Sequence, residues 1–100
     1  MPGYVIADID VHDPENYEEY KRTATPTATE FGGRYIVRGG KVDVLEGEWA
    51  PKRFVIIEFP SVEKAKAWWN SQSYAAPKKI RQATAKSNFF VVEGSDVPSR

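Results

Sequence analysis

The stretch RGGKVDVLEGEW, residues 38–49, sets two glycines directly behind an arginine, alternates apolar and polar side chains from Lys41 to Glu46, and breaks the alternation at Gly47. How it is read decides the strand order. As a two-residue turn, Gly39-Gly40 folds the chain back and makes residues 41–46 a separate strand between those at 34–38 and 53–59. As a glycine bend, the pair deflects one long strand over residues 34–46, and residues 47–52 become the hairpin loop. In that second reading Val44 faces Val55, Val42 faces Ile57, and Arg38 arrives near Glu58. A phosphate-cradling loop fits least, because such glycines lie between a strand and a helix N-terminus, and here a strand follows.

The flanking segments favour the bend. Upstream, residues 4–11 alternate Val5, Ala7, Ile9 and Val11 against Tyr4, Ile6, Asp8 and Asp10, a period-two strand with one fully apolar face. Asp13-Pro14 then supplies an N-cap and a proline at the first helical position. Tyr17, Tyr20, Ala24, Ala28 and Phe31 recur at helical spacing until Gly32-Gly33 ends the run. Pro26 lacks the amide needed by the helical ladder, which predicts a kink or break near residues 23–25. Downstream, residues 53–59 (RFVIIEF) are apolar on both faces and read as a central strand. Ser61 caps a second helix over residues 62–70, with Val62, Ala65 and Trp69 as its stripe and Trp68 on the flank. Residues 74–86 resume as a helix with Tyr74, Ile80 and Ala83 inward, and residues 88–93 (NFFVVE) form the last strand. The order is strand, helix, strand, strand, helix pair, strand. It predicts an α+β, ferredoxin-like split βαβ fold with one antiparallel sheet and helices on one face, a domain over residues 1–94 and a flexible tail at 95–100.

Composition narrows the function. A chain of 100 residues with 41% hydrophobic and 28% charged residues fits one globular domain. Lys+Arg and Asp+Glu stand at 14 each, so no summed field favours nucleic acid or an acidic membrane as a partner. With no cysteine and one histidine, thiolate chemistry is excluded, a transition-metal site is not expected, and a reducing, cytoplasmic setting is the default. The N-terminus has no basic region ahead of its apolar run, which Asp8 interrupts, and reads as a strand rather than a signal peptide. No window is apolar over the length of a membrane span.

Asp13-Pro14, the Tyr17 and Tyr20 pair, Gly32-Gly33-Arg34, Arg38-Gly39-Gly40, Leu45-Glu46-Gly47, Ile57-Glu58-Phe59-Pro60-Ser61, Ala65, Trp68, Ser71, Tyr74, Arg81 and Glu93-Gly94 stand in an order and spacing that resembles the domain of unknown function 1330 family. The likeness runs over nearly the whole chain, residues 4–94. That family is similar to the dimeric α/β-barrel superfamily, whose members include cofactor-free monooxygenases of antibiotic biosynthesis. The resemblance therefore implies a ferredoxin-like fold, a homodimer and no cofactor, and it assigns no reaction. A dimer also follows from the residues. Phe54, Ile56, Phe90 and Val92 lie opposite Val55, Ile57, Phe89 and Val91, so both sheet faces are apolar while helices cover one.

The candidate chemistry rests on few side chains. Arg38 and Glu58 are read either as an anion clamp with a proton-transferring carboxylate of raised pKa or as a structural ion pair. His12, at the end of the first strand, is a candidate general base or an exposed loop residue between acidic neighbours. Tyr20, Trp68 and Tyr74 are candidate walls of a pocket between sheet and helices, or plain core. Arg81 is a candidate anion contact or a surface arginine beside Lys78 and Lys79. Serines 61, 71 and 73 have no His and Asp partners at hand, so a triad hydrolase is not supported. Two functions stay open: a small-molecule binder or cofactor-free enzyme, monooxygenase- or isomerase-like by superfamily analogy, acting on an anionic or aromatic molecule; or a non-catalytic dimeric ligand sensor or accessory module with a structural Arg/Glu pair.

Overall fold

The computed structural model describes residues 1–95, so the expected tail lies outside the described residues from 96 onward. Strand β1 (Gly3–Val11) leads into helix α1 (Pro14–Glu30), followed by strands β2 (Arg34–Arg38) and β3 (Arg53–Phe59). Helices α2 (Val62–Trp69) and α3 (Gln72–Thr84) and strand β4 (Ala85–Glu93) complete the chain. The strands form one open sheet in the order β2-β3-β1-β4, every neighbouring pair antiparallel. This is the α+β, ferredoxin-like arrangement expected from the element order.

The pleat gives the sheet an inner and an outer face. Val5, Ala7 and Ile9 of β1 and Val55, Ile57 and Phe59 of β3 are buried inward, and with Tyr17, Tyr20, Ala24, Ala28, Ala65, Trp68 and Tyr74 from the helices they make the core. Trp68 is fully buried and donates from Nε1 to Thr27 Oγ1 at 3.0 Å, and its ring lies 4.1 Å from that of Tyr74. The helix α2 stripe is therefore Ala65 and Trp68, with Trp69 half-buried, a rotation of one position from the sequence expectation. On α3 the buried positions are Tyr74, Pro77, Arg81 and Thr84, whereas Ala83 is exposed. The helix starts two residues earlier than its apolar run because Ser71 Oγ accepts the Tyr74 amide at 3.1 Å.

Helix α1 runs unbroken through Pro26, contrary to the expected kink or break. Proline removes one amide, the donor to the Arg22 carbonyl. The surrounding turns gain bonds from Thr23, Thr25, Thr27 and Thr29, whose hydroxyls each donate to a carbonyl three or four residues back.

The opening stretch departs from both of its readings. Strand β2 ends at Arg38, and residues 41–46 are irregular rather than extended alongside β3. The ladder closes at Gly39, whose amide donates to the Phe54 carbonyl at 2.8 Å. Beyond that rung β3 begins at Arg53, and Pro51 has no amide to extend it, so the alternation at 41–46 meets no strand. The bulge lies elsewhere: the register is Arg34↔Glu58 and Tyr35↔Ile57, then Val37↔Ile56 and Arg38↔Val55, which leaves Ile36 as the extra residue. Residues 40–52 form a long loop that settles on the outer face. Asp8 holds it there, accepting from Trp49 Nε1 at 2.9 Å and from the Lys52 amide at 3.0 Å, while Trp49 meets Phe54 edge-on at 5.9 Å.

The two glycines have different jobs. Gly39 has φ +75°, and a Cβ there would sit 2.5 Å from Arg53 Nη1; Gly40 has open space around it. Gly39→Ala should cost about 1–2 kcal/mol, the penalty of left-handed backbone for an L-residue. Gly40→Ala should be neutral or mildly stabilising. Urea unfolding of the two variants checks this, and equal midpoints would contradict the assignment.

Candidate functional site

The register of β2 on β3 separates the two residues paired in the sequence reading: Glu58 stands opposite Arg34, and Arg38 opposite Val55. Glu58 lies on the outer face, where its Oε1 accepts from Arg34 Nε at 2.7 Å and its Oε2 from the Tyr4 hydroxyl at 3.1 Å. Arg38, opposite inward-facing Val55, turns to the helix side, where its Nη2 donates to Thr25 Oγ1 at 2.8 Å and its guanidinium stacks 4.7 Å from the Tyr35 ring. Arg38 and Glu58 therefore do not form a pair. The bonds from Arg34 and then Tyr4 lower the Glu58 pKa, the reverse of the raised value expected for a proton-transferring acid. His12 is exposed in the turn after β1, its amide donating to the Thr84 carbonyl at 2.9 Å.

Tyr20, Tyr74 and Arg81 do come together. The Tyr20 and Tyr74 hydroxyls are 2.9 Å apart, and Arg81 Nε donates to the Tyr74 hydroxyl at 3.3 Å. Arg81 is not a surface arginine: it is 3% exposed, and its guanidinium stacks 4.1 Å from the Phe89 ring. Its Nη2 is buried with no hydrogen-bond partner among the described residues. Helix phase produces this burial, since Arg81 stands seven residues after Tyr74, two turns along the same face. Trp68 packs behind Tyr74 as core.

Of these residues Tyr20 borders a narrow crevice between α1 and the inner sheet face, with about 20 Å³ of free space, enough for about one water. Tyr17, Tyr20 and Tyr35 supply phenols to its walls, and Lys21, Arg38 and Arg53 supply cations. Arg53, absent from the sequence candidates, shares inward parity with Val55 and Ile57. Its guanidinium lies 5.8 Å from the Tyr17 ring, and its Nε is buried without a partner among the described residues. The alternation of β3 was sufficient to find it. Tyr35, absent from the sequence candidates, faces inward through its pairing with Ile57. Lys21 and Arg38 also border a wide groove along α1, about 650 Å³, so crevice and groove share a margin. A second, apolar cavity of about 270 Å³ lies between α2 and β4, against Ala65, Trp69, Phe89 and Phe90.

Burial raises the pKa of Tyr17 against the opposing pull of Arg53 and Arg81, raises Tyr35, and raises Tyr20 well above its ordinary value with the Tyr74 hydroxyl adding to the effect. All three are neutral donors at physiological pH. Among the described residues no group of three His, Cys, Asp or Glu is placed to hold a metal ion, and no helix is long and apolar enough to cross a membrane.

Residues 2–95 match the family described as Domain of unknown function (DUF1330). The chain belongs to that family. Solved structures share the DUF1330 chain's fold at low identity. A protein of unknown function from Rhodopseudomonas palustris is 20% identical with a TM-score of 0.77, over 96% of this chain and 84% of that one. A cofactor-independent oxygenase from Streptomyces nogalater is 11% identical with a TM-score of 0.67, over 99% and 98%. A dimeric protein of unknown function and ferredoxin-like fold from Bacteroides fragilis is 13% identical with a TM-score of 0.54, over 93% and 96%. No curated protein sequence matches the DUF1330 chain.

The raised phenol values have a signed consequence. A folded pKa above the ordinary 10.0 contributes stability that is fully present below pH 10 and is lost as pH rises through the raised values. In an alkaline titration, the phenolate absorbance of Tyr17, Tyr20 and Tyr35 should appear only as the circular dichroism collapses. Ionisation of all five tyrosines near pH 10 with an intact spectrum would show that the phenols are solvated.

Proposed function

We infer that the protein acts as a homodimer that binds a small organic molecule at the crevice between α1 and the inner sheet face, with most of the molecule outside it in the groove along α1, as one domain over residues 1–94 in a cytoplasmic setting. The observation that carries this is a wall of three phenols and three cations around space that the core does not fill. The oxygenase from Streptomyces nogalater, with the same fold, supports small-molecule chemistry as a use for the scaffold by analogy.

A binding role is favoured over proton transfer. Glu58 and His12, the candidate acid and base, are not among the residues lining the crevice, and Glu58 is engaged on the opposite face. Binding falls to Tyr20 and Arg38 at the walls, with Tyr74 and Arg81 behind them. Trp68 supports Tyr74.

The homodimer rests on the outer face. Ile6, Ile56 and Phe90 form one cross-strand row, Tyr4 and Val92 lie in the next, and Phe90 is 56% exposed. The loop adds Val42, Val44 and Leu45 beside it, Leu45 being 96% exposed. An apolar patch of this kind is met by a second copy packing face to face, and the dimeric ferredoxin-like protein from Bacteroides fragilis offers a precedent on a similar chain.

Sedimentation at micromolar concentration should give a dimer mass for the native chain and a monomer for Ile56→Asp. A native monomer would refute the assembly. For the crevice, titrating a panel of neutral and acidic aromatic fragments should move backbone amide resonances of Tyr20, Tyr35 and Arg53 together. Shifts confined to the α2–β4 cavity would place the ligand site there instead.

A further inference from the structure

The crevice is rich in hydrogen-bond donors and poor in acceptors. None of its lining residues is Asp or Glu, although Lys21, Arg38 and Arg53 all border it. Lys21 reaches Glu18 at 2.8 Å on the exposed surface of α1, and Arg38 is met by a neutral hydroxyl, that of Thr25. Arg53 Nε and Arg81 Nη2 are buried without partners among the described residues. A guanidinium carries five donors and no acceptor, so only an acceptor can satisfy the nitrogen left over, and a buried donor without one is costly.

The hydroxyl chain points the same way. Arg81 only donates, so the Tyr74 oxygen accepts from it. Either hydroxyl of the Tyr20–Tyr74 pair can be the donor across their 2.9 Å contact, and when Tyr74 gives its proton the Tyr20 proton is free to point into the crevice that Tyr20 borders. Gly39 contributes from the other side, since any side chain there would collide with the Arg53 guanidinium.

We propose that the crevice is a carboxylate-binding site, in which Arg53 and Arg38 hold the two oxygens of a ligand carboxylate, Tyr20 donates a further hydrogen bond, and the body of the ligand rests in the adjoining groove. This deepens the small-molecule reading above and rests on it. With about 20 Å³ free, the crevice admits a carboxylate only as Arg38, exposed at its edge, moves aside, and a guanidinium fork matches a flat two-oxygen head group. The groove beside it, bordered by the same Lys21 and Arg38, has room for the rest of the molecule, and its Glu15, Glu18 and Glu19 select a body without further negative charge.

The test compares benzoate, its neutral isostere benzamide and inorganic phosphate by calorimetry, with amide resonances locating each. Benzoate should bind at Tyr20, Tyr35 and Arg53, and benzamide should bind at least tenfold more weakly. Arg53→Met and Arg38→Met should each weaken benzoate about ten- to a hundredfold, the effect of losing one charge-assisted hydrogen bond. Arg38 is exposed, so its variant keeps the test valid should Arg53→Met fail to fold. Equal binding of benzamide and benzoate, unaffected by either variant, would overturn the carboxylate while leaving the crevice as a ligand site. Phosphate binding that excludes benzoate would replace the carboxylate with a tetrahedral anion. Absence of benzoate binding in the folded native protein would overturn the proposal outright, whatever the fragment panel shows.

Discussion

A pleated strand sends successive side chains to opposite faces, so one inserted residue exchanges the faces of everything that follows it. In β2 that residue is Ile36. Without it, Arg38 would share the outer parity of Arg34 and stand opposite Phe54, four residues along β3 from Glu58. Arg34 takes Glu58 on the outer face ahead of the bulge, and past it Arg38 turns inward to Thr25 and Tyr35. The same shift carries the ladder to its last rung at Gly39, where positive φ and the missing side chain make room for Arg53. Both arginines at the crevice thus depend on the register of a five-residue edge strand.

Behind the crevice, polar groups replace apolar core packing. Tyr20, Tyr74 and Arg81 lie among Trp68, Trp69 and Phe89, where an aliphatic core would be simpler. The phenols satisfy one another, and the faces of Phe89 and Trp69 partly compensate the guanidinium charge through their quadrupoles. A buried network of this kind is stable only when its members are satisfied, and here one guanidinium nitrogen remains over. Such an imbalance is a reason to look for a binding role rather than a stabilising one.

The two faces of the sheet divide the work. The inner face carries the core and the crevice, and the outer face carries an apolar surface with the Asp8-anchored loop on its margin. Asp8 looks misplaced in the alternating pattern of β1, yet its two oxygens receive the indole and the backbone amide that fix a loop with little regular hydrogen bonding of its own. An acid on an apolar face is tolerated because both oxygens are used.

Period-two alternation in β1 and β3, the Asp13-Pro14 and Ser61 caps and the element order were local signals, and the sequence alone determined from them the ferredoxin-like topology, the inner core of both central strands and the apolar outer face. The family resemblance rested on the same local motifs and is confirmed over residues 2–95. What escaped were quantities set between elements. The bulge at Ile36 belongs to a pair of strands rather than to one, because it appears only when β2 is laid against β3. The fate of residues 41–46 turned on where β3 ends, since an alternating segment becomes a strand only if another edge supplies its hydrogen bonds. The apolar side chains of α3 put Ile80 and Ala83 inward with Tyr74, whereas packing against Tyr20 and Phe89 keeps Tyr74 inward and chooses the face that buries Arg81. Tertiary structure alone therefore decided which arginines face the crevice, because a charge is buried or exposed according to its neighbours across the fold, which spacing along the chain does not encode.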